Sequence, residues 1–425
     1  MREGMRIGFV STRFHGTDGV SLEAAKWAHV LEHHLNHKCF WFGGKLDTPS
    51  DTSYLCPEAF FEFPGIAAIQ KALFESDGLR PQALSDEVEV FSSYLTAELR
   101  HFIARYELDI LLPQNVLAIP MHVPLGLAVT NLAEEGVPVL AHHHDFSWER
   151  SRFEHGCAGD YLQRAFPPAL SKKFLHVVIN SRAGKDLLER RGVPSSVIPN
   201  VFDFENPPAD PDAYGDDFRT QLGISPDEVI VLQPTRVVPR KGIEYAIELC
   251  HRLQERLGRK VCLVVSHNSG DEGFEYHEGL IQIATQLAVR VLWIGDRVRE
   301  GRGNNTKGEK CYSLWDVYPH ADLVTYPSLY EGFGNALLET FYFSKPVVVN
   351  RYSVYVEDIE PHGFKVVTMN GCVNDQIVHE AAGLIEDKDK AARWGKHNYG
   401  ICEQHYSYRS LRQGLEGLVE NLNGS

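Results

Sequence analysis

Two acids and a glycine-rich turn stand out in the segment "YPSLYEGFGNALLETF", residues 326–341. A strand-like run precedes Glu331 and a helix-like run contains Glu339, so the glycines lie where a strand becomes a helix. Glycine lets the backbone approach a ligand closely, and a helix N-terminus offers N–H groups to an anion. The helical rise puts the two carboxylates on the order of 10 Å apart, too far for a shared proton or a glycosidase pair. This spacing suits the two polar ends of an extended ligand with a phosphate between them. The alternative is two surface acids beside a tight turn.

Cations follow another strand-like run, in "QPTRVVPRKG", residues 233–242. Arg236 and Lys241 would lie at the carboxyl end of this strand, with Gly242 near the start of the next helix. Arginine can bind two phosphate oxygens at once, and lysine adds a point charge. The segment lacks the G-x-x-x-x-G-K-[ST] pattern of a P-loop. It indicates either a phosphate clamp or a solvated basic turn.

Histidines occur at the end of a third strand-like run, in "HHHDFSWER", residues 142–150. Alternation along a strand points His142 and His144 the same way. These side chains fit three interpretations: zinc ligands, structural histidines, or polar groups that face a cleft. The D-x-D matches at 210–212 and 387–389 fall in a linker and at a helix start, so we predict no metal site.

A glycine-containing turn, "FHGTDGVS", residues 14–21, follows the first strand and opens a helix. It lacks the G-x-G-x-x-G pattern, so it gives little support to nicotinamide binding. The alternative is an ordinary connection between a strand and a helix.

Strand-like and helix-like segments alternate along the whole chain, which predicts an α/β fold with two doubly wound, Rossmann-like domains. Buried strands are predicted at 5–11, 108–115, 137–144 and 175–180, and again at 229–236, 260–267, 289–296, 322–328, 346–351 and 364–370. The Pro- and Asp-rich segment 204–217 reads as a linker between domains 1–203 and 218–400. A C-terminal helical segment, 401–425, completes the chain, and 45–95 gives no clear pattern.

Composition excludes several classes of function. The net charge of −15 argues against general nucleic-acid binding and against adhesion to an anionic membrane. The eight cysteines are scattered, which is typical of free thiols in a reducing compartment. With no apolar run long enough for a membrane helix and no signal-peptide pattern, we predict a cytoplasmic protein.

Positive charge is concentrated between residues 150 and 191, in contrast to the chain as a whole. Arg150 and Arg152 come just after the histidine segment, so we hypothesise that they bind an anionic acceptor. The alternative is a solvated surface.

Taken together, "EGFGNALLE", "TRVVPRKG", "VINSRAGKDLLERRGVPSSVIPNVFD" (178–203) and "KPVVVN" resemble the retaining glycosyltransferases of family 4. The resemblance extends from Arg6 to about Tyr408. It implies the B-type glycosyltransferase fold, in which two Rossmann-like domains face a cleft and a C-terminal helix returns to the first domain. The first domain would bind the acceptor, and the second would bind the nucleotide sugar.

The resemblance also implies roles for individual residues. Glu339 would hold the ribose, Arg236 and Lys241 the diphosphate, and His144 would face the transferred sugar. Glu331 and the backbone of the turn would grip the hexose and the distal phosphate; the turn residues are Gly332, Phe333, Gly334 and Asn335. Gly19 matches a glycine that approaches the diphosphate, although this chain has Asp18-Gly19 where the family usually has Gly-Gly.

The implied function is transfer of a hexose, with retained configuration, from a nucleotide-diphosphate sugar such as UDP-glucose or GDP-mannose to a hydroxyl of a small acceptor. Neither a metal ion nor another cofactor is expected. The expected partners are the small-molecule donor and acceptor, without nucleic acid or a stable membrane anchor, and homo-oligomerisation is open. The alternatives are a nucleotide-sugar 2-epimerase on the same fold, a non-catalytic nucleotide-sugar-binding protein, and a pyridoxal-dependent phosphorylase.

Overall fold

The chain divides into two α/β units in a computed structural model. The structure describes residues 4–16, 18–76, 78–170, 172–269, 274–299 and 301–423. The first unit comprises Met1–Val201 and Tyr408–Ser425, and the second comprises Phe202–Ser407. Within the described ranges, no helix combines the length and apolar character needed to cross a membrane.

Short strands alternate with longer helices throughout. The strands are β1 Arg6–Val10, β2 Lys38–Gly43, β3 Ser53–Leu55, β4 Ile110–Pro113, β5 Val139–His143, β6 Phe174–Val178, β7 Ser196–Val197, β8 Val229–Gln233, β9 Val261–Val265, β10 Arg290–Trp293, β11 Gly303–Asn304, β12 Lys310–Cys311, β13 Leu323–Tyr326, β14 Val347–Asn350 and β15 Val367–Met369. The α-helices are α1 Gly19–His33, α2 Pro64–Phe74, α3 Gln82–Tyr106, α4 Val123–Glu134, α5 Gly159–Ala165, α6 Ser181–Arg191, α7 Phe218–Gln221, α8 Ile243–Leu257, α9 Phe274–Gln286, α10 Leu314–Val317, α11 Asn335–Tyr342, α12 Asp375–Glu386, α13 Lys388–His405 and α14 Tyr408–Asn423.

The first unit is built on a parallel sheet of seven strands in the order β3-β2-β1-β4-β5-β6-β7. Apolar side chains cover both faces of this sheet, as the continuous apolar runs of its strands require. Helix α14 belongs to this unit, where Leu411 and Leu415 join Trp27 and Leu31 of α1 in one core cluster. The strand order reverses between β1 and β4, so the loops after these two strands diverge and leave a crevice for a ligand.

The second unit is built on a parallel sheet of six strands in the order β10-β9-β8-β13-β14-β15. Its core is dominated by the Val and Leu side chains of β8 and β9, which pack against α8 and α12. The order reverses between β8 and β13. The two motifs that sequence reasoning selected in this unit, at 233–242 and 326–341, therefore lie at the same switch point.

The structure confirms the predicted fold class of two parallel-sheet, Rossmann-like units. Residues 45–95, which gave no clear pattern, contain β3, α2 and part of the long helix α3. The segment 204–217, predicted as a linker, is grouped with the second unit, where Phe204 is buried and the Tyr214 hydroxyl donates to the Cys311 carbonyl at 2.8 Å.

Candidate active site

Two loops of the second unit are held together at the switch point of its sheet. The loop after β8 contains a 3₁₀ turn, Pro239–Lys241, followed by Gly242 with φ of +59°. A Cβ atom on Gly242 would lie 2.6 Å from the Pro327 carbonyl oxygen, in the loop after β13. The Leu329 N–H donates to the Arg240 carbonyl across the same junction at 2.8 Å. Glycine is needed at this position because only a residue without a side chain permits both the backbone conformation and the close approach.

Glu331 lies in a buried cluster of opposite charges at this junction. Its side chain accepts from Lys241 Nζ, and its Oε2 lies 3.0 Å from Arg240 Nη1. Glu331 and Lys241 are only 7% and 8% exposed. Burial acts to raise the pKa of Glu331, but the charges of Lys241 and Arg240 outweigh it and hold the pKa below its ordinary value. The carboxylate is therefore ionised at neutral pH and can accept hydrogen bonds from hydroxyl groups, but it cannot serve as a general acid.

Arg236 extends the cationic region at the end of β8. Its side chain is exposed, and within the described ranges its guanidinium forms no hydrogen bond or ion pair. His267, which follows β9, is close enough to respond to these charges: burial, and then the charges of Lys241 and Arg236, lower its pKa to about 4. Arg240 and Lys241 thus contact one carboxylate, and Arg236 lies close enough to Lys241 to act on its pKa; this excess of positive charge suits a phosphate group.

The turn "GFG" precedes α11 and has a tightly determined backbone. Gly334 has φ of +134°, and a Cβ atom there would lie 2.6 Å from the Tyr352 hydroxyl oxygen. That hydroxyl donates to the Phe333 carbonyl at 2.7 Å. The Phe333 ring is buried in the core, so this residue can offer a ligand only its backbone. Gly332 lies beside it and is half-buried.

Helix α11 carries the remaining predicted donor-binding side chains. Asn335 is its first residue, and Glu339 lies about one turn further along, half-buried. Burial, and then the charge of Glu339, raise the pKa of Tyr318 well above its ordinary value. The Glu339 carboxylate therefore lies close to the buried Tyr318 hydroxyl, and its partly exposed side leaves room for a ligand.

His144 of the first unit lies in a small polar network. Gln114, which follows β4, places its Oε1 2.9 Å from His142 Nδ1 and 3.2 Å from His144 Nε2. The Trp27 ring stacks on His142 with a centroid distance of 4.0 Å. Burial lowers the pKa of His144 to about 4, against the opposing charges of Asp145 and Asp18. His144 is therefore neutral at neutral pH, and because an amide oxygen only accepts, its Nε2 carries the proton.

A cavity of ≈ 240 Å³ lies at the switch point of the first sheet, between the loops after β1 and β4. Both predicted acceptor-binding arginines line this cavity. Arg150 is paired with Asp145, through an Nε–Oδ2 distance of 2.8 Å. Arg152 lies over the Phe153 ring, 4.7 Å from its centroid. A third arginine, Arg13, also lines the cavity, and sequence reasoning did not select it.

Gly19 is the first residue of α1, and Asp18 is the N-cap of this helix. The Asp18 carboxylate accepts hydrogen bonds from the Val20 and Ser21 N–H groups, both at 3.2 Å. A diphosphate approaching Gly19 would meet this carboxylate, so the contact stays a prediction.

Several residues of these sites were missed at the sequence level. Arg240 stands next to Lys241 in the basic motif, Gln114 lies at the end of the predicted strand 108–115, and Arg13 follows the predicted strand 5–11, so their positions gave a usable signal. Tyr352 gave none, because its role depends on a contact with a turn 19 residues earlier in the chain. Among the residues that the structure describes, no group of three or more His, Cys, Asp or Glu side chains is arranged to hold a metal ion.

Comparison with known proteins shows the family to which this chain belongs. The family profile described as "Glycosyl transferases group 1" matches residues 303–400, which include Glu331, Glu339 and α11. Among solved structures, the Anabaena protein HepE in complex with UDP-glucose has a TM-score of 0.63 at 16% identity and covers 98% of this chain and 100% of its own. Sucrose-phosphate synthase from Thermosynechococcus elongatus has a TM-score of 0.65 at 15% identity, with 99% of both chains covered. At these identities the two structures support the fold alone.

Two sequence relatives are closer, and both are named mannosylglucosylglycerate synthase. The Petrotoga mobilis protein is 33% identical over 86% of this chain and 86% of its own. The Thermotoga maritima protein is 32% identical over 98% of this chain and 100% of its own. The chain is therefore a glycosyltransferase that carries the group 1 domain and belongs to the same family as these two synthases.

Proposed function

We propose that this enzyme belongs to the retaining glycosyltransferases of family 4 and transfers a hexose from a nucleotide-diphosphate sugar to a hydroxyl of a small anionic acceptor, without a metal ion. One observation carries the proposal. An ionised, buried Glu331 pairs with Lys241 and Arg240 at the switch point of the second sheet, and Arg236 adds a further cation close to Lys241. Such a site combines hydroxyl recognition with excess positive charge, which is the chemistry of a sugar attached to a diphosphate.

Each end of the donor has a matching group in the second unit. Glu331 and the backbone of 332–335 would bind the hexose hydroxyls, and Glu339 would bind the ribose hydroxyls. Arg236, Lys241 and the neighbouring Arg240 would bind the diphosphate between them. As the glycosidic bond breaks, negative charge grows on the leaving diphosphate, and cations already in place stabilise it without reorganisation.

The leaving phosphate can also accept the proton of the attacking hydroxyl, so the mechanism needs no protein base. His144 is neutral and gives its Nε2 proton to Gln114, so it would offer the transferred sugar its Nδ1 as a hydrogen-bond acceptor. Because the imidazole is neutral, it adds no positive or negative charge next to the carbon at which the glycosidic bond breaks.

The acceptor is proposed from the first unit and from the relatives. Arg150 and Arg152 line its cavity together with Arg13, and although Asp145 pairs with Arg150, the three cations favour a molecule with an anionic group. The relatives' name describes a product in which mannose is joined to glucosylglycerate, a sugar acid. We therefore expect GDP-mannose as donor and glucosylglycerate as acceptor, with UDP-glucose as the second donor to test.

The test is a nucleotide-release assay on purified protein with GDP-mannose, UDP-glucose and other nucleotide sugars, with and without glucosylglycerate. Acceptor-dependent release, unchanged by EDTA, is expected. The one-bond C1–H1 coupling constant of the new glycosidic linkage, measured by NMR, should show retained configuration. Release of free nucleotide and sugar without acceptor would instead indicate the epimerase. Binding of a nucleotide sugar with no turnover would indicate a non-catalytic binding protein.

The proposal also includes the cytoplasmic location that the sequence predicts, with small molecules as the partners. Homo-oligomerisation stays open, and sedimentation of the purified protein would decide it.

A further inference from the structure

Gln114, which lines the cavity of the first unit, has a side-chain hydrogen-bond donor without a partner among the described residues. Gln114 is 1% exposed and lines the cavity. Its Oε1 serves two histidines, but its Nε2 has no hydrogen-bond partner among the described residues. A buried amide N–H group without a partner is costly, so Gln114 gives this side of the cavity a polar character.

Arg13 stands at the same cavity, directly after β1. Its guanidinium lies over the Phe61 ring, 5.3 Å from the centroid, which restricts its orientation. Its charged neighbour is Asp18, at 3.4 Å from Nε to Oδ2. Asp18 already accepts from two backbone N–H groups of α1 and from the Ser21 hydroxyl at 2.7 Å. Much of the Asp18 charge is therefore met by the N-terminus of α1, and Arg13 keeps most of its five donors for another anion.

Arg150 differs from Arg13 in this respect. Both its Nε and its Nη2 contact a single oxygen of Asp145, and the other oxygen of Asp145 accepts from Asn115 at 2.8 Å. The charge of Arg150 is thus used within the protein, where it fixes the loop after β5. Of these two arginines, only Arg13 has a guanidinium with a restricted orientation and with hydrogen-bond donors still available for a ligand.

We propose that Arg13 determines the acceptor specificity of this enzyme by pairing with a carboxylate of the acceptor. The inference rests on the proposed function and deepens it. The sugar part of the acceptor would lie on the polar side of the cavity at Gln114, and the acid part would reach the guanidinium, which can bind both carboxylate oxygens at once. A neutral analogue of the same size would leave the guanidinium without its partner.

The experiment compares two acceptors that differ only in the acid: glucosylglycerate, and glucosylglycerol, in which CH₂OH replaces the carboxylate. For each we measure kcat/KM with saturating donor, and we take the ratio of the two values as the acid preference. In Arg13→Gln the acid preference should fall at least about tenfold, mainly through a higher KM for glucosylglycerate, since a charge-assisted hydrogen bond is lost. In Arg13→Lys, which keeps the charge, the loss should be smaller.

Arg100→Gln is the matched control, because Arg100 is a surface arginine of the same unit paired with Glu135. It should leave the acid preference unchanged, and melting temperatures of all variants check folding. An Arg13→Gln enzyme with the wild-type acid preference would overturn the inference while leaving the proposed function intact.

If the wild type transfers to neither acceptor, the proposed function fails and calorimetric titration of glucosylglycerate into the GDP-bound protein decides the inference separately. Binding to the wild type that is weakened in Arg13→Gln supports it. Equal binding to both proteins, or binding to neither, contradicts it.

Discussion

The buried charge cluster around Glu331 makes a stability prediction that can be worked out from the structure. In Lys241→Met the side chain keeps its approximate volume but loses its charge, so Glu331 is left buried without its closest partner. Removing one member of a buried ion pair costs about 3–5 kcal/mol, because the remaining charge is no longer compensated. Arg240 still pairs with Glu331 at 3.0 Å, but its side chain is 41% exposed, so its contribution is about 1 kcal/mol at most. The expected loss of unfolding free energy in Lys241→Met is therefore about 2–4 kcal/mol.

The assay is urea unfolding at pH 7.5, followed by circular dichroism, for the wild type, Lys241→Met, Glu331→Gln and the double variant. The double variant removes both charges and should lose less stability than the sum of the single changes, since neither charge is stranded. The effect also depends on pH with a defined sign. The wild-type Glu331 has a lowered pKa, so its stabilising contribution is present above the ordinary carboxyl pKa and is lost as the pH falls through its folded value.

Lys241→Met reverses this dependence. Without the lysine, burial dominates and raises the pKa of Glu331, so the destabilisation should be largest at neutral pH and should shrink as the pH falls and the carboxyl becomes protonated. A Lys241→Met protein within about 0.5 kcal/mol of the wild type at pH 7.5 would refute the claim that this pair is buried and coupled. The same variant should bind GDP more weakly by calorimetry, because the diphosphate loses one of its cations.

Three further predictions concern other parts of the two sites. Gly334→Ala should reduce the unfolding free energy by about 1–3 kcal/mol, because φ of +134° and the Tyr352 hydroxyl leave no room for a Cβ atom; unchanged urea unfolding would contradict this. Glu339→Gln should raise the Kd for GDP about tenfold in calorimetry, since a charged acceptor of ribose hydroxyls becomes neutral; an unchanged Kd would remove Glu339 from the donor site. Burial lowers the pKa values of His122 and His176 to about 4, so these rings are neutral in the folded protein and take up protons on unfolding below pH 6.5. As the pH falls from 6.5 to about 4, the unfolding free energy should therefore fall by up to about 3 kcal/mol for each ring. A flat pH profile, or one that His122→Gln does not make shallower, would show that these rings are not buried and neutral.

Sequence patterns predicted the second unit well because its strands are buried on both sides. Short, Val-rich runs such as "VIVLQ" of β8 and "VCLVV" of β9 favour interior strands, and these strands place the motifs after β8 and β13. The joint position of these motifs could be predicted too, since a switch point brings the carboxyl ends of two neighbouring strands together. The ion pair between Lys241 and Glu331 could not, because it depends on side chains 90 residues apart meeting at one point.

The long helix α3 shows why the first unit was harder to interpret. Its 25 residues begin after Pro81, which provides no capping side chain, so the usual signal of a helix start is missing. Its buried face includes Ser92, and its exposed face includes Val90 and Tyr94, so the apolar stripe is broken in both directions. Helix α3 is stabilised mainly by its packing against other elements of the fold, and the local sequence pattern says little about that packing.

The local density of basic residues is likewise a poor predictor of where the first unit binds an anion. Counting residues makes 150–191 a basic surface, yet Arg164 pairs with Glu134 at 2.8 Å and Arg191 donates to the Pro167 carbonyl at 2.9 Å. Arginines such as these are poorly placed to attract a ligand, because their donors are already in use. Arg13 lies outside that basic stretch and would not be selected by any count, but it comes at the carboxyl end of β1, at the switch point of its sheet. For a binding site in an open parallel sheet, the position of a cation at the switch point and the number of donors it has left are therefore better guides than the local density of charge.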